Sequence, residues 1–141
     1  PGNYIDSEGK VLGSHCGFCN YTIGQRKGLG IALGSPKHVL KIDAKTNTVM
    51  LGDHDDLLTY DVYADQIRIR DLQWLADSPQ VTARIRYKSP AVPATLQWTL
   101  TDDSPSPIAH LHFDQAVWGV TPGQSLVIYK DGLLVGGGII Q

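Results

Sequence analysis

Cys16-Gly17-Phe18-Cys19 is a CxxC pair, the spacing of a redox dithiol or of half a zinc site. A thioredoxin-like dithiol opens a helix after a strand within a βαβ pattern, and no such pattern surrounds this pair. A zinc site needs two further ligands; His15 is adjacent, but a second CxxC and an HxxxH are both absent from the sequence. The plain reading is two incidental thiols in a turn. His110 and His112 share one face of an alternating segment, and Asp114 follows on the same face. Such a face can bind a metal, but without a third imidazole or a thiolate at fixed spacing a solvated face is the expectation. Ser, His and Asp are all present without a G-x-S-x-G elbow, so a hydrolase triad has no support.

The segment Gly24-Gln25-Arg26-Lys27-Gly28-Leu29-Gly30 places three glycines and two cations in seven residues. Its backbone N–H groups and cationic side chains suit an anion. The spacing is neither G-x-x-x-x-G-K-[ST] nor G-x-G-x-x-G, so no nucleotide loop is indicated. A tight glycine turn with exposed charges stands as an equal alternative. A basic stripe is the remaining feature. Arg84, Arg86 and Lys88 share one face of residues 81–88, and Arg68 and Arg70 share a face of residues 62–70. As neighbouring strands these segments gather up to five cations on one surface, with only Asp71 and Asp77 between them in sequence. Arginine forks grip phosphate oxygens in bidentate fashion. Tyr87 adds the aromatic that RNA-binding surfaces combine with cations, although strict alternation points it the other way unless the strand ends there. On residues alone, a solvated face is the plainer account of this stripe.

Strands must position these groups. His38–Asp43 and Thr48–Gly52 flank the polar loop Ala44-Lys45-Thr46-Asn47, a hairpin signature. Residues 62–70 hold a period-2 segment. In residues 81–88, Val81, Ala83, Ile85 and Tyr87 oppose Thr82, Arg84, Arg86 and Lys88. In residues 94–101, Ala94, Leu96, Trp98 and Leu100 oppose Thr95, Gln97, Thr99 and Thr101. In residues 108–113, Ala109, Leu111 and Phe113 oppose Ile108, His110 and His112. Alternation of this kind means one face buried and one solvated. Residues 125–129 and Leu133–Ile140 are joined by Lys130-Asp131-Gly132, a hairpin turn. Gly136-Gly137-Gly138 within the last strand marks a bend or a close backbone approach. Barrel closure accounts for that triplet and for Val120-Thr121-Pro122-Gly123-Gln124 before residue 125. Ser-Pro pairs at 78–79, 89–90, 104–105 and 106–107 punctuate the strands. Short strands so spaced predict a barrel or sandwich. Residues 71–76 are the one helix candidate, of two turns at most.

The 141 residues suit one domain or two small ones. A hydrophobic share of 42% with 18% charged residues is a globular composition. A boundary is expected near Asp61, after the acidic run Asp53-His54-Asp55-Asp56, giving residues 1–61 and 62–141. Each side carries six basic and seven acidic residues, so charge does not distinguish them. The net charge of −2 makes no whole-chain case for nucleic acid, which must rest on local patches. No apolar run approaches the ~18–20 residues that cross a bilayer, so no membrane partner is expected. Two cysteines cannot staple a fold of this size, and a reducing, cytoplasmic compartment is the expectation. A chain that opens on Pro1 without a charged-then-apolar leader is expected to be a fragment or a processed product, with no secretory signal.

These motifs join into one pattern. Asp6-Ser7-Glu8-Gly9-Lys10-Val11-Leu12-Gly13, His15 and Tyr21-Thr22-Ile23-Gly24-Gln25-Arg26-Lys27-Gly28-Leu29-Gly30-Ile31 resemble the segment after the catalytic domain of bacterial tRNA-specific 2-thiouridylases. Ala83-Arg84-Ile85-Arg86-Tyr87-Lys88, Val120-Thr121-Pro122-Gly123-Gln124 and Gly136-Gly137-Gly138-Ile139-Ile140 resemble that family's C-terminal barrel, in the same order. The resemblance covers essentially the whole chain. The family has an older label as a (5-methylaminomethyl-2-thiouridylate)-methyltransferase, and nothing in the sequence supports methyl transfer.

The resemblance implies an all-β chain: a small central β domain, then an antiparallel β-barrel similar to those of translation factors. It implies a parent enzyme whose upstream ATP-pyrophosphatase-type domain adenylates the wobble uridine of certain tRNAs. That enzyme then replaces the 2-oxygen with sulfur from a persulfide supplied by a sulfur-relay donor. ATP, the nucleotide loop and the catalytic cysteines belong to the upstream part, so this region alone is expected to be catalytically silent and to hold no cofactor or metal. By position, the family's tRNA contacts fall on Arg86, Tyr87 and Gln124, to which the stripe adds Arg84 and Lys88. Gln25, Arg26 and Lys27 match a family motif that meets either tRNA or the catalytic domain. Cys16 and Cys19 depart from the family pattern and are not its sulfur carriers. The rival readings are a β module that braces a catalytic domain without touching RNA, and a CxxC redox or zinc protein.

Overall fold

The computed structural model describes residues 1–70, 79–99 and 107–141. The helix candidate at 71–76, Asp71, Asp77, Leu100, Thr101 and three of the Ser-Pro pairs, in whole or in part, lie outside the described residues. The chain divides into two compact units, Pro1–Leu58 and Thr59–Gln141. Among the described residues no helix is long and apolar enough to cross a membrane.

The first unit is a four-stranded sheet built from β1 (Gly2–Ile5), β2 (Val11–His15), β3 (His38–Asp43) and β4 (Thr48–Gly52), in the order β2-β1-β4-β3. The β3–β4 hairpin occupies the residues that the sequence assigns to it, with Asp43 paired to Thr48. Its loop is held by the Asp43 carboxylate, which accepts from the N–H groups of Lys45 at 2.9 Å and Thr46 at 3.3 Å. Those backbone donors, Lys45 first, hold the Asp43 carboxyl below its ordinary range. β1 and β2 are additions to the sequence reading. They are short and pair with each other antiparallel, with a register shift between Tyr4 and Ile5; β1 also runs parallel to β4, pairing Tyr4 with Val49, and no local pattern announces so distant a partner. The core gathers Tyr4, Leu29, Val39, Val49 and Leu51, all buried.

The second unit contains β5 (Leu58–Ile69), β6 (Gln80–Arg84), β7 (Val92–Thr99), β8 (Ile108–Trp118), β9 (Ser125–Lys130) and β10 (Leu133–Ile140). They close as a barrel in the order β10-β5-β8-β7-β6-β9. The alternation seen in sequence fills its interior: Val81 and Ala83, Ala94 and Leu96, Ala109, Leu111 and Phe113, and Leu126 and Ile128 are all buried. Complete burial of side chains as large as Phe113 or Leu111 is worth about 1.5–3 kcal/mol each.

Closure depends on β10, which lies between β5 and β9. A Cβ on Gly136 would overlap the Arg68 carbonyl, and one on Gly137 the Leu126 carbonyl. One on Gly138 would come within 2.6 Å of the Asp65 carbonyl. The triple glycine is therefore the close approach that its position in the strand predicts. β5 accommodates the seam with a bulge: register slips between the Gly137–Arg68 and Ile139–Asp65 pairs, and Gln66 sits at φ 51. The β9–β10 turn places Asp131 at φ 51 and Gly132 at φ 78, both positive as a two-residue primed hairpin turn requires.

The strands differ most from their sequence expectations in three places. β6 ends at Arg84, four residues before Lys88, and residues 85–89 form a turn. β8 runs on to Trp118, well past Phe113. β5 begins at Leu58, so Asp61, placed at the domain boundary by its acidic neighbours, lies inside a barrel strand.

The largest correction concerns the cationic stripe. β5 is flanked by β10 and β8, and β6 by β7 and β9, so two strands separate β5 from β6 in either direction around the barrel. The Arg68–Arg70 pair and the group Arg84, Arg86 and Lys88 are thus on opposite walls. Sequence order suggested adjacency; closure through β10 imposed separation.

Candidate nucleic-acid interface

Arg84 ends β6 and its guanidinium lies over the Tyr129 ring, 5.8 Å from the centroid. Its Nη1 donates to the Tyr87 carbonyl at 3.3 Å. Arg86 lies 5.3 Å over the Trp118 ring, and its Nη2 donates to the carbonyl of Gly119. The Ser89 hydroxyl accepts from the Arg86 N–H at 3.2 Å and donates to the Arg86 carbonyl at 3.0 Å. Arg86 is therefore a half-buried member of a braced turn, where strand alternation predicted a guanidinium standing free in solvent. Its Nη1 makes no hydrogen bond to a described residue.

What the turn displays is Tyr87. It is 89% exposed, and Lys88 beside it is exposed as well. The strand ends before Tyr87, which frees the ring from the inward face that strict alternation would give it.

Gln124 lies at the same end of the barrel. Arg84 pairs with Val127 on β9, whose first residue, Ser125, follows Gln124. The Gly119 carbonyl that Arg86 holds also accepts from the Thr121 hydroxyl at 3.0 Å, and the Thr121 carbonyl accepts from the Gln124 N–H at 3.3 Å. The Gln124 carbonyl accepts from the Ile140 N–H at 2.9 Å, fixing the backbone and leaving the side chain exposed. Arg84, Arg86, Tyr87, Lys88 and Gln124 thus gather at one end, whereas the β9–β10 hairpin and Arg70 mark the other. Sequence reasoning missed Trp118 and Gly119, which seat Arg86; they follow the alternating segment that drew attention and carry no charge.

In the first unit Gln25 turns inward on its own loop. Its side-chain oxygen accepts from the Thr22 N–H at 3.1 Å, and its amide nitrogen donates to the Lys27 carbonyl at 2.9 Å. Arg26 and Lys27 are exposed.

Cys16 and Cys19 are exposed free thiols, Cys16 before and Cys19 within the 3-10 turn Phe18–Asn20. Their neighbour His15 is buried against the rings of Tyr4 and Tyr21 and accepts from the Gly17 N–H at 3.1 Å. Among the described residues no group of three or more His, Cys, Asp or Glu is arranged to hold a metal ion. His110 and His112 project from β8 as the alternation predicts, and their partner is Asp61. Its Oδ1 accepts from His110 Nε2 at 2.7 Å and His112 Nδ1 at 2.9 Å. Tyr63 stacks on His110 at 4.5 Å and Tyr60 on His112 at 6.0 Å, fastening β5 to β8 on the outer wall.

Comparison with known proteins accounts for both units. Residues 1–53 match the family model described as the tRNA methyl transferase PRC-barrel domain. Residues 64–140 match the aminomethyltransferase beta-barrel domain. The tRNA-specific 2-thiouridylase MnmA of Acetivibrio thermocellus is 42% identical over 141 residues, covering 100% of this chain and 38% of the relative. Proteins of the same name from Synechococcus sp. (strain JA-3-3Ab) and Clostridium beijerinckii are also 42% identical, over 146 and 141 residues, with 37% and 38% of their lengths covered. The chain therefore spans well under half the length of these curated relatives. With the barrel model matching more than half of its residues and this identity along its whole length, the chain belongs to the tRNA-specific 2-thiouridylase family, of which it is the C-terminal region.

Proposed function

We propose that this region holds tRNA for a cytoplasmic 2-thiouridylase. In that enzyme an upstream ATP-pyrophosphatase-type domain adenylates the anticodon wobble uridine. Sulfur from a persulfide, delivered by a sulfur-relay donor, then replaces the 2-oxygen. A modifying enzyme must draw a base out of a folded loop and keep it against its reactants. Contacts remote from the chemistry supply that orientation.

The observation that carries this reading is Tyr87. A ring that is 89% exposed contributes almost nothing to the barrel's own core. Yet Arg84 and Arg86 both fasten the turn that displays it. Stacking of a nucleobase on such a ring is worth about 1–3 kcal/mol. Lys88 and the Nη1 of Arg86 then meet backbone phosphates. The Gln124 amide, able to donate and accept, meets a nucleotide without charge.

The test is tRNA binding by the chain and by the full-length enzyme that carries it. Tyr87→Ala and Gln124→Ala should weaken binding in both, with ATP binding by the full-length enzyme unchanged. A region that only braced the catalytic domain would keep wild-type tRNA affinity in both variants, and that result would end the proposal.

A further inference from the structure

The loop that follows Tyr21 is anchored at both ends. At the near end Gln25 closes it through Thr22 and Lys27, as described above. The backbone of Gly24 and Gln25 docks on β3, with Gly24 N–H donating to the Val39 carbonyl at 2.8 Å and Val39 N–H to the Gln25 carbonyl at 2.9 Å. At the far end Leu29 is buried, and its carbonyl accepts from the hydroxyl of the buried Tyr4. Burial first, then the Tyr21 hydroxyl 2.7 Å away, raises the Tyr4 hydroxyl well above its ordinary value, so it remains a donor. Gly28 at φ 77 and Gly30 at φ 66 adopt backbone conformations that side chains rarely enter.

Between these anchors stand Arg26 and Lys27, both exposed, and neither side chain makes a hydrogen bond or ion pair with another described residue. They border an open depression of about 690 Å³ whose further wall includes Ser35 and Lys37. Lys37 is already paired with Asp53 at 2.7 Å. Of the apolar residues that line the depression, Leu29 belongs to the unit's own core and Ile31 and Leu33 pack on it. Arg26 and Lys27 are adjacent like charges, and neither has an ion-pair partner among the described residues. The centre of a protein–protein interface is depleted of charge; the residues lining this depression include the cations Arg26, Lys27 and Lys37 and no carboxylate, which matches a polyanion.

We infer that Arg26 and Lys27 form a second phosphate-contact site, which grips the tRNA backbone apart from the barrel end. The inference rests on the reading that this region binds tRNA. It assigns the family motif around Gln25 to RNA, with Gln25 as a positioning residue. Phosphate oxygens also occur in free pyrophosphate, so the source must be separated experimentally.

The measurement is binding of a labelled, unmodified tRNA transcript with a wobble uridine to the 141-residue chain, titrated from 50 to 200 mM salt. Arg26→Gln/Lys27→Gln should flatten the slope of log affinity against log salt by roughly 1.5–2, since each lost phosphate contact removes about 0.7–1. Affinity near 100 mM salt should fall by about tenfold or more, while the melting temperature stays unchanged. Wild-type affinity and slope in this variant, with Tyr87→Ala still weakened, would overturn the inference and leave the barrel reading standing. Pyrophosphate binding lost in the double variant while tRNA affinity is kept would assign the site to a small anion and overturn it. A lower melting temperature of the full-length enzyme with tRNA affinity kept would assign the loop to the catalytic domain and overturn it. No tRNA binding by either wild-type protein would overturn both readings together.

Discussion

Arg86 Nη2 donates to the carbonyl of Gly119, and Gly119 has no side chain at the position that this amino group fills. The two residues are far apart in sequence, yet each explains the other. Gly119 sits at φ 72, and a Cβ there would overlap the guanidinium. Gly119→Ala should therefore displace Arg86 and loosen the turn that carries Tyr87. The expected loss is about 2.5–4 kcal/mol, combining a charge-assisted hydrogen bond of about 1.5–3 with roughly 1 for the left-handed backbone. Urea denaturation checks the stability, and a wild-type midpoint for Gly119→Ala would show that Arg86 is not seated there in solution.

Tyr87 separates stacking from stability. The ring is almost wholly exposed, so Tyr87→Ala should leave the melting temperature within about a degree of wild type. Its tRNA affinity should drop by about 5–150-fold, the equivalent of 1–3 kcal/mol. Tyr87→Phe keeps the ring face and should retain most of the binding. Equal losses for Phe and Ala would point to the hydroxyl and reject a stacking role.

Separation of the cations makes a prediction that the sequence stripe would not. Arg68 and Arg70 lie across the barrel from Arg84, Arg86 and Lys88. Arg68→Gln/Arg70→Gln should bind tRNA within about twofold of wild type and with the same salt slope. Lys88→Gln should flatten that slope by about 0.7–1. A salt slope flattened by the Arg68 and Arg70 changes would mean that the RNA wraps the barrel.

The legible parts of this fold are those where neighbours in sequence are neighbours in space. The β3–β4 and β9–β10 hairpins are of this kind: alternation marked their strands and turn residues marked their loops. β1 and β2 escaped although they pair locally, because both are short and their register shifts between Tyr4 and Ile5, and the other partner of β1, β4, is distant and parallel. The barrel's inward residues were readable from period two, but which walls meet was not. That depends on the glycine seam of β10, whose register no local pattern encodes. The candidate site divides in the same way. Arg84, Arg86, Tyr87 and Gln124 stood out by type and motif. The exposed ring and the braced arginines depend on β6 stopping at Arg84 and on a carbonyl from Gly119. Asp61 likewise drew notice as a boundary marker, while its partners lay on a strand read as a separate histidine face.

That carboxylate gives a pH prediction with a definite sign. Hydrogen bonds from His112 first and then His110 hold Asp61 below the ordinary carboxylate range. A group whose folded pKa is depressed stabilises the fold above its unfolded value, near 3.9, and loses that contribution as pH falls through the folded value. The Asp61 link between β5 and β8 should therefore be intact at pH 7 and weaken only below about pH 4. Asp61→Asn removes the charge at every pH. Its urea midpoint should lie below wild type at pH 7, and the gap should narrow as pH is lowered from 4 towards 2. The narrowing below about pH 4 follows protonation of the Asp61 carboxylate. His110→Gln and His112→Gln should each produce part of the pH 7 deficit. A gap between wild type and Asp61→Asn that stays constant from pH 7 down to 2 would show that the carboxylate's charge does not hold this wall of the barrel together.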